Sequence, residues 1–89
     1  MADVKKSNIN RLVVQNNIYS EIPTGNINGT NKIFTVSNDM LGDSTLIWYN
    51  GFLQREGADY DYVLTTPREI TFNGAPETDS YILVNYVKA

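Results

Sequence analysis

The sequence predicts an all-β fold: a small antiparallel β-sandwich of about six or seven strands, immunoglobulin-like or related, preceded by an extended N-terminal arm. Short apolar runs alternate with clusters of turn-forming residues at the spacing typical of sandwiches. No window shows the periodicity of an amphipathic helix. A chain of 89 residues, 42% of them hydrophobic, has material for one small domain and no second one.

The first element is an N-terminal arm with an edge strand, predicted over residues 1–22. Residues 1–10 are polar and without pattern, which is typical of a tail. From Arg11 the chain alternates, with Leu12, Val14 and Ile18 on one phase. Asn16 and Asn17 interrupt the alternation, which favours an edge strand, or an arm lying on a surface, over a central strand.

The β-sandwich domain is predicted over residues 23–89. Its strands are short apolar runs separated by clusters rich in Gly, Asn, Asp and Pro, which accept positive φ or form Asx turns. The predicted strands are Lys32–Val36, Ser44–Tyr49, Phe52–Glu56, Tyr60–Leu64, Glu69–Phe72 and Ser80–Lys88.

The strongest local signal is Asn50-Gly51, the pair that best tolerates the two positive φ angles of a type I′ hairpin. Such a turn places Tyr49 opposite Phe52 on one face and Trp48 opposite Leu53 on the other. Apolar residues therefore occupy both faces of this hairpin, and the last strand shows the same two-sided pattern. A two-layer sandwich buries one face of each sheet, so the other face needs a cover. The arm folded back, a neighbouring copy and a different protein are the candidates.

Composition excludes several kinds of chemistry. The chain has no His and no Cys, so it cannot build a Ser-His-Asp triad, a thiol nucleophile, a zinc ribbon or a redox pair. A net charge of -3 argues against a nucleic-acid partner. No apolar stretch approaches the roughly 20 residues that span a bilayer, and the first residues lack a signal-peptide core. We therefore expect a product made in the cytoplasm, without a cofactor, a metal, a membrane or a nucleic acid as partner.

Two functional alternatives start from other side chains. Glu56, Asp59 and Asp61 could supply the paired carboxylates of a glycosidase, although a chain this short has little room for the cleft and turn carboxylates are the simpler interpretation. The aromatic residues could form a platform for sugar stacking, against the simpler interpretation that strand aromatics fill the core. Since Trp48 and Tyr49 point to opposite faces, one of the two is a candidate for an interface.

From Pro23 onward the sequence resembles a small β-sandwich module of tailed-bacteriophage virion proteins. The resemblance follows the running signature P-x-G-x-I-N-G-x-N-x-x-F-T, Y-N-G-x-x-Q, G-x-D-Y, I-T-F-x-x-A-P and D-x-h-x-V-x-Y, where h is any apolar residue, and it covers most of residues 23–87. Such modules occur in tail fibres and baseplate components and as small head-associated proteins. The first 22 residues fall outside the pattern, and we expect a free-standing module instead of part of a long fibre chain.

This resemblance implies a non-enzymatic structural role in the virion, without catalytic residues. We expect a head decoration or cement protein, with a neck, tail-tip or fibre component and a host-glycan-binding module as alternatives. The expected partners are the major capsid or neck and tail subunits, together with further copies of the chain. Apolar anchors and basic side chains would meet these partners. The predicted partner-binding residues are Lys5, Lys6, Arg11, Leu12, Val14, Ile18, Trp48, Tyr49 and Phe52.

Overall fold

Two antiparallel sheets build the fold in the computed structural model, which describes residues 16–89. None of these residues is helical, so this part of the chain contains no helix that could cross a bilayer. The all-β sandwich predicted from the sequence is confirmed. The strands are β1 (Asn17–Glu21), β2 (Ile33–Thr35), β3 (Leu46–Tyr49), β4 (Phe52–Leu53), β5 (Tyr62–Thr66), β6 (Glu69–Phe72) and β7 (Ile82–Val87).

The strands divide into a four-stranded sheet with the order β1-β7-β3-β4 and a three-stranded sheet with the order β2-β6-β5. All pairings within the two sheets are antiparallel. The last strand, β7, lies between β1 and β3, so the two ends of the described chain meet in one sheet. β1 has a single strand neighbour and forms an edge of that sheet.

The core lies between the inner faces of the two sheets, because strand side chains alternate between faces. Ile47 and Val84 from the four-stranded sheet and Ile70 from the three-stranded sheet are 0% exposed. Phe34 and Phe72 meet edge to face with ring centroids 5.7 Å apart. The buried hydrophobic residues are Phe34, Val36, Met40, Ile47, Tyr62, Ile70, Phe72, Ile82, Val84 and Tyr86.

The β3–β4 hairpin has the predicted turn and register. Asn50 and Gly51 have φ angles of 53° and 86°, and the pairs Trp48↔Leu53 and Tyr49↔Phe52 form. The Oδ1 atom of Asn50 accepts the Tyr81 N–H at 2.9 Å, and the Asn50 N–H donates to the Tyr81 carbonyl at 3.0 Å. The turn is therefore tied to the segment that leads into β7.

Five of the six strands predicted in the sandwich domain have different bounds in the structure, and two of these differences change the path of the chain. The strand predicted over Phe52–Glu56 ends at Leu53, because Glu56 has already left for the other sheet, where it bridges Tyr62 in parallel. The strand predicted over Tyr60–Leu64 begins at Tyr62. Tyr60 and Asp61 belong instead to a turn, in which the Asp61 carboxylate accepts the Arg55 N–H at 2.8 Å. The predicted β6 bounds, Glu69–Phe72, are confirmed.

β1 is attached to the rest of the sandwich through a β-bulge and through the hydrogen bonds of Glu21. Its register with β7 shifts between Ile18 and Glu21. Within this bulge Ser20 has a φ of 54°, and its N–H donates to Asn85 Oδ1 at 2.7 Å. The Glu21 carboxylate accepts the Tyr86 hydroxyl at 2.6 Å and the Ser37 N–H at 2.7 Å. These bonds anchor the end of β1 to a loop of the sandwich.

Candidate functional site

The outer surface of the four-stranded sheet is apolar. β3 and β7 pair so that Ile47 and Val84 point inward together, and the alternation then turns Leu46, Trp48 and Leu83 outward. Trp48 lies at the centre, because its cross-strand neighbours are Leu83 on β7 and Leu53 on β4. We call this surface the outer apolar face and define it as Leu46, Trp48, Leu53, Tyr81, Leu83 and Val87.

Members of this face remain accessible to solvent in the described part of the chain. Leu46 is 47% exposed, Leu53 58% and Tyr81 51%. Trp48 and Leu83 are half-buried by their neighbours on the sheet. Scattered apolar residues are normal on protein surfaces, but a contiguous set on one sheet face marks an interaction site.

Two grooves run along the outer side of β7. The larger has a volume of about 320 Å³ and is lined by Ser20, Trp48, Gly51, Tyr81, Leu83 and Asn85. The smaller, of about 140 Å³, lies toward the Val87 end, with Tyr19 from β1 and Leu46 from β3 among its lining residues. Asn85 belongs to both grooves. We therefore treat them as one shallow channel between β1 and β3 and call it the β7 trough.

Four polar side chains line the trough: Asn17, Ser20, Ser44 and Asn85. The Oδ1 atom of Asn85 accepts the Ser20 N–H at 2.7 Å. Ser20 itself adopts a left-handed conformation with a φ of 54°, which is uncommon outside Gly and Asn. An apolar channel with a few polar groups along its floor can bind an extended chain segment or a small amphipathic ligand.

The structure brings only some of the predicted partner-binding residues to this surface. Lys5, Lys6, Arg11, Leu12 and Val14 lie outside the described residues. Among the others, only Trp48 belongs to the outer apolar face.

Ile18 and Tyr49 are partly buried and pack against the core of their own chain. Ile18 pairs with the buried Tyr86, and Tyr49 lies on the same inward phase as Ile47. The Tyr49 hydroxyl also lies 2.9 Å from Ser80 Oγ and accepts the Glu77 N–H at 3.1 Å. Both residues therefore brace the fold, and Ile18 also lines the smaller groove.

Phe52 is 73% exposed, although it stands opposite Tyr49 on the inward phase. Its strand, β4, is the edge of the four-stranded sheet and spans only Phe52–Leu53, so no further strand covers its ring. Phe52 is thus an exposed aromatic residue beside the outer apolar face, not within it.

Sequence reasoning did not single out Leu46, Leu53, Tyr81, Leu83 and Val87 as site residues. Their signal was present in the two-sided alternation of β3 and β7. The alternation does not show that β3 and β7 are neighbours in the sheet. These apolar residues form one surface only because the two strands pair.

Of the three carboxylates considered for catalysis, Asp61 accepts the backbone N–H of Arg55 at 2.8 Å. Elsewhere, the exposed Asp39 carboxylate forms an ion pair with Arg68 at 2.6 Å. The Arg55 guanidinium lies 3.8 Å from the centre of the Tyr60 ring. Within residues 16–89 no three acidic side chains are grouped so as to hold a metal ion. The contact of Asp61 gives that carboxylate a structural role in its turn.

Two tyrosines in the core have shifted pKa values. Burial raises the pKa of Tyr62 to about 12, with smaller contributions from the negative charges of Glu56 and Asp61. Burial also raises the pKa of Tyr86, helped by its hydrogen bond to the Glu21 carboxylate. In both tyrosines, burial favours the neutral form of the hydroxyl. Both residues belong to the core and lie away from the outer apolar face.

Comparison of the chain with known protein families, with curated proteins and with solved structures returns no match.

Proposed function

We propose that the protein is a non-enzymatic structural protein of a tailed-bacteriophage virion, a capsid decoration or cement protein that docks on the assembled head. The observation that carries this proposal is the outer apolar face, centred on Trp48 and opened by Leu46 and Leu53, which are 47% and 58% exposed. Folding does not require apolar residues on this face, since the core lies on the other side of the sheet. Their presence favours a protein that works in contact with another surface.

The proposal that this contact occurs in a virion depends on the sequence resemblance. Its motifs occupy turns and strands of the sandwich, among them Asn50-Gly51 at the β3–β4 turn and Ile70-Thr71-Phe72 in β6. The resemblance supports the virion as the place of assembly, and the outer apolar face supports assembly independently of these motifs.

The mechanism that we propose is stabilisation by mass action. A protein that binds the assembled lattice and not the loose subunits shifts the equilibrium toward the shell, by an amount that grows with the occupied fraction of sites. Repeated copies multiply this effect over the particle. Neither a cofactor nor a catalytic group is needed for it.

The N-terminal arm supports docking through its charge. Lys5, Lys6 and Arg11 stand against the single acidic residue Asp3 in residues 1–15, whereas residues 16–89 hold four basic and nine acidic side chains. Basic side chains at the rim of a contact raise the association rate with an acidic surface and make it dependent on salt. We propose that they steer the protein to acidic patches on the lattice.

Two variants with matched exposure test the docking surface. Leu46→Asp places a charge on the outer apolar face, and Ile33→Asp places the same charge on the outer side of the three-stranded sheet; the two native side chains are 47% and 48% exposed. On particles stripped of the protein, we expect Leu46→Asp to bind at least about tenfold more weakly than the unmodified chain, and Ile33→Asp to bind like it. Equal occupancy by both variants would contradict docking through this face.

The position of the protein on the particle is a separate measurement. Labelled protein added to stripped particles and imaged by electron microscopy is expected on the head surface. Label confined to the neck, tail tip or fibres would assign it to the alternative site and leave the docking surface unchanged.

The larger groove also favours a second candidate, a module that binds host-surface glycan. Trp48 and Tyr81 place two aromatic side chains beside Ser20 and Asn85, the combination of apolar and hydrogen-bonding groups that sugars require. A glycan array probed with the unmodified chain and with Trp48→Ala separates the two functions. A sugar signal that Trp48→Ala abolishes would favour the glycan module, and we expect no such signal from a cement protein.

A further inference from the structure

Three Asn-Gly pairs occur in this chain: Asn28-Gly29, Asn50-Gly51 and Asn73-Gly74. In such a pair the backbone nitrogen of the glycine can reach the side-chain Cγ atom of the asparagine, because glycine has no Cβ to obstruct the approach. All three asparagines are exposed, so water reaches each of them. The three pairs are alike in sequence and in being exposed, and their hydrogen bonds distinguish them.

The reaction of such a pair is an intramolecular deamidation. The glycine nitrogen gives its proton to hydroxide and forms a bond to Cγ, and the Cγ–Nδ2 bond breaks as Nδ2 takes up a proton and leaves as ammonia. Water then adds to one of the two carbonyl groups of the resulting succinimide ring, which gives aspartate or isoaspartate. Water is the only reactant consumed besides the chain, and no electron is transferred. The rate therefore depends on an available glycine nitrogen, a polarised Cγ carbonyl and a leaving nitrogen that is not held.

At Asn28-Gly29 the attacking nitrogen is occupied. The Gly29 N–H donates to the Pro76 carbonyl at 3.0 Å, and it must leave that acceptor before it can lose its proton to solvent. The side chain is occupied as well, because Asn28 Oδ1 accepts the N–H groups of Thr30 and Asn31 at 2.9 and 2.8 Å. Ring closure at Asn28 therefore requires this loop to open first.

At Asn73-Gly74 the leaving nitrogen is held. Asn73 Nδ2 is directed at three backbone carbonyls of a turn earlier in the chain, those of Gly57, Ala58 and Tyr60. The Asn73 N–H also donates to the Asp61 carbonyl at 2.9 Å. Loss of ammonia at this site breaks the side-chain contacts that attach Asn73 to the turn, and the lost hydrogen bonds oppose the reaction.

At Asn50-Gly51 the hydrogen bonds assist the reaction. Asn50 Oδ1 accepts the Tyr81 N–H at 2.9 Å, which polarises the Cγ carbonyl and stabilises the negative charge that develops on this oxygen during the attack. Among the described residues, only Ser80 Oγ contacts Asn50 Nδ2, at 3.4 Å, which is long for a hydrogen bond. Within residues 16–89 the Gly51 N–H has no hydrogen-bond partner, and Gly51 lines the larger groove.

The backbone of this turn is also easier to move than the core strands. β4, which follows Gly51, spans only Phe52–Leu53 and is an edge of the four-stranded sheet. Segments with few strand contacts open locally at a lower free-energy cost than core strands. Asn50 has a φ of 53°, a left-handed conformation that is strained for a residue with a Cβ. Local opening therefore supplies the backbone rotation at Asn50 that ring closure needs.

From these contacts we infer that Asn50 is a site of spontaneous deamidation, at which Gly51 closes a succinimide ring and water gives aspartate and isoaspartate. Aspartate places a negative charge beside the larger groove, which Trp48 and Tyr81 line. Isoaspartate inserts a methylene group into the backbone, which is incompatible with the two-residue turn that sets the Trp48↔Leu53 pair. The inference goes beyond the proposed function, because it concerns this hairpin whether or not the protein belongs to a virion.

Peptide mapping by mass spectrometry measures the three sites in one sample. Folded protein is kept at mildly alkaline pH in water enriched in heavy oxygen, and each site is followed by the heavy oxygen atom that hydrolysis of the ring introduces. We expect Asn50 to react at least about tenfold faster than Asn28 and Asn73, with both aspartate and isoaspartate as products. Equal rates at the three sites, or aspartate as the sole product at Asn50, would overturn the inference.

Urea separates the effect of the structure from that of the sequence. In concentrated urea the three pairs lose the contacts described above, and we expect their rates to converge, because each is then an Asn-Gly pair in an unfolded chain. If the order of rates in the folded protein persisted unchanged in urea, the flanking residues would be its cause and the inference from hydrogen bonds would be wrong.

Two matched variants give a measurement that does not depend on peptide mapping. Asn50→Asp and Asn28→Asp each remove one side-chain amide and keep the oxygen that accepts the same backbone N–H groups. We expect Asn50→Asp to lower the release of ammonia from the folded protein at least about fivefold, and Asn28→Asp to leave it nearly unchanged. Equal release by the two variants would contradict the assignment to Asn50.

Discussion

The two sheets are alike inside and different outside. Their inner faces share one core, to which Ile47 and Ile70 contribute side chains that are 0% exposed. On the outer side, the three-stranded sheet presents a polar ladder, in which Thr65 Oγ1 lies 3.1 Å from Thr71 Oγ1 and donates to the Glu69 carboxylate at 2.7 Å. The four-stranded sheet presents the outer apolar face instead.

This difference separates what the fold needs from what an additional contact needs. A two-layer sandwich is stable with one buried face per sheet, and the three-stranded sheet has threonines and a glutamate outside, together with Ile33 and Val63. The four-stranded sheet also buries its inner face, but its outer face is apolar. The apolar outer face is not needed for the two-layer fold, and the predictions below separate the inner face from the outer face.

The largest effect is expected from the shared core. Ile47→Ala and Ile70→Ala each remove a fully buried side chain, one from each sheet. We expect each to lower the free energy of unfolding by about 3 kcal/mol, because a cavity remains where the methyl groups were. Urea denaturation followed by circular dichroism measures both. A loss below about 1 kcal/mol in only one of them would show that the sheets do not share the core equally.

The next effect belongs to the four-stranded sheet. Asn50→Ala replaces a residue with a φ of 53° and removes the acceptor of the Tyr81 N–H. We expect a loss of about 2 kcal/mol in unfolding free energy, from backbone strain and the lost hydrogen bond together. Asn50→Gly is the control, since it tolerates the φ and loses only the hydrogen bond, for about 1 kcal/mol. Equal losses in both variants would assign the whole effect to the hydrogen bond.

One buried tyrosine from each sheet gives a smaller effect and a pH dependence. At neutral pH, Tyr86→Phe is expected to cost about 1 kcal/mol, because Glu21 and Asn38 lose a hydrogen-bond partner. The Tyr62 hydroxyl makes no side-chain hydrogen bond within the described residues. Replacement of Tyr62 by Phe is therefore expected to be tolerated at that pH. Chemical denaturation at pH 7 compares the two variants.

At alkaline pH, Tyr62 contributes a pH dependence to the stability of the protein. The pKa of Tyr62 is about 12 in the folded protein and 10.0 in the unfolded chain, so folding favours the neutral hydroxyl. The stability that this preference contributes is present in full below pH 10 and is lost as the pH rises through about 12. We expect Tyr62→Phe to lose less stability than the unmodified chain over this interval. Parallel curves would show that Tyr62 is not responsible.

The smallest effect compares the outer faces directly. Leu46→Ser and Ile33→Ser change side chains of equal exposure, 47% and 48%. We expect each substitution to change the unfolding free energy by less than about 0.5 kcal/mol, because neither side chain belongs to the shared core. Urea denaturation of the two variants measures both. A clearly larger loss in Leu46→Ser alone would show that the outer apolar face also contributes to folding.

The sequence by itself determined the features that rest on neighbours along the chain. Asn50-Gly51 specified the hairpin and its register, because few other pairs accept two positive φ angles. The alternation in β7 identified Ile82, Val84 and Tyr86 as one face, and all three are buried. The bounds of β6 followed from the turn residues on either side of it.

Tertiary structure alone decided which strands lie side by side and which aromatic residue serves the core. Tyr49 faces inward because β7 places Ile82 opposite it, and Trp48 faces outward for the same reason. The chain leaves the four-stranded sheet after Leu53 because Glu56 pairs with Tyr62 in the other sheet. These choices depend on contacts between residues far apart in the sequence, whose energies arise only when packing brings them together. Local propensity therefore specified the strands, and long-range pairing made one outer surface of them.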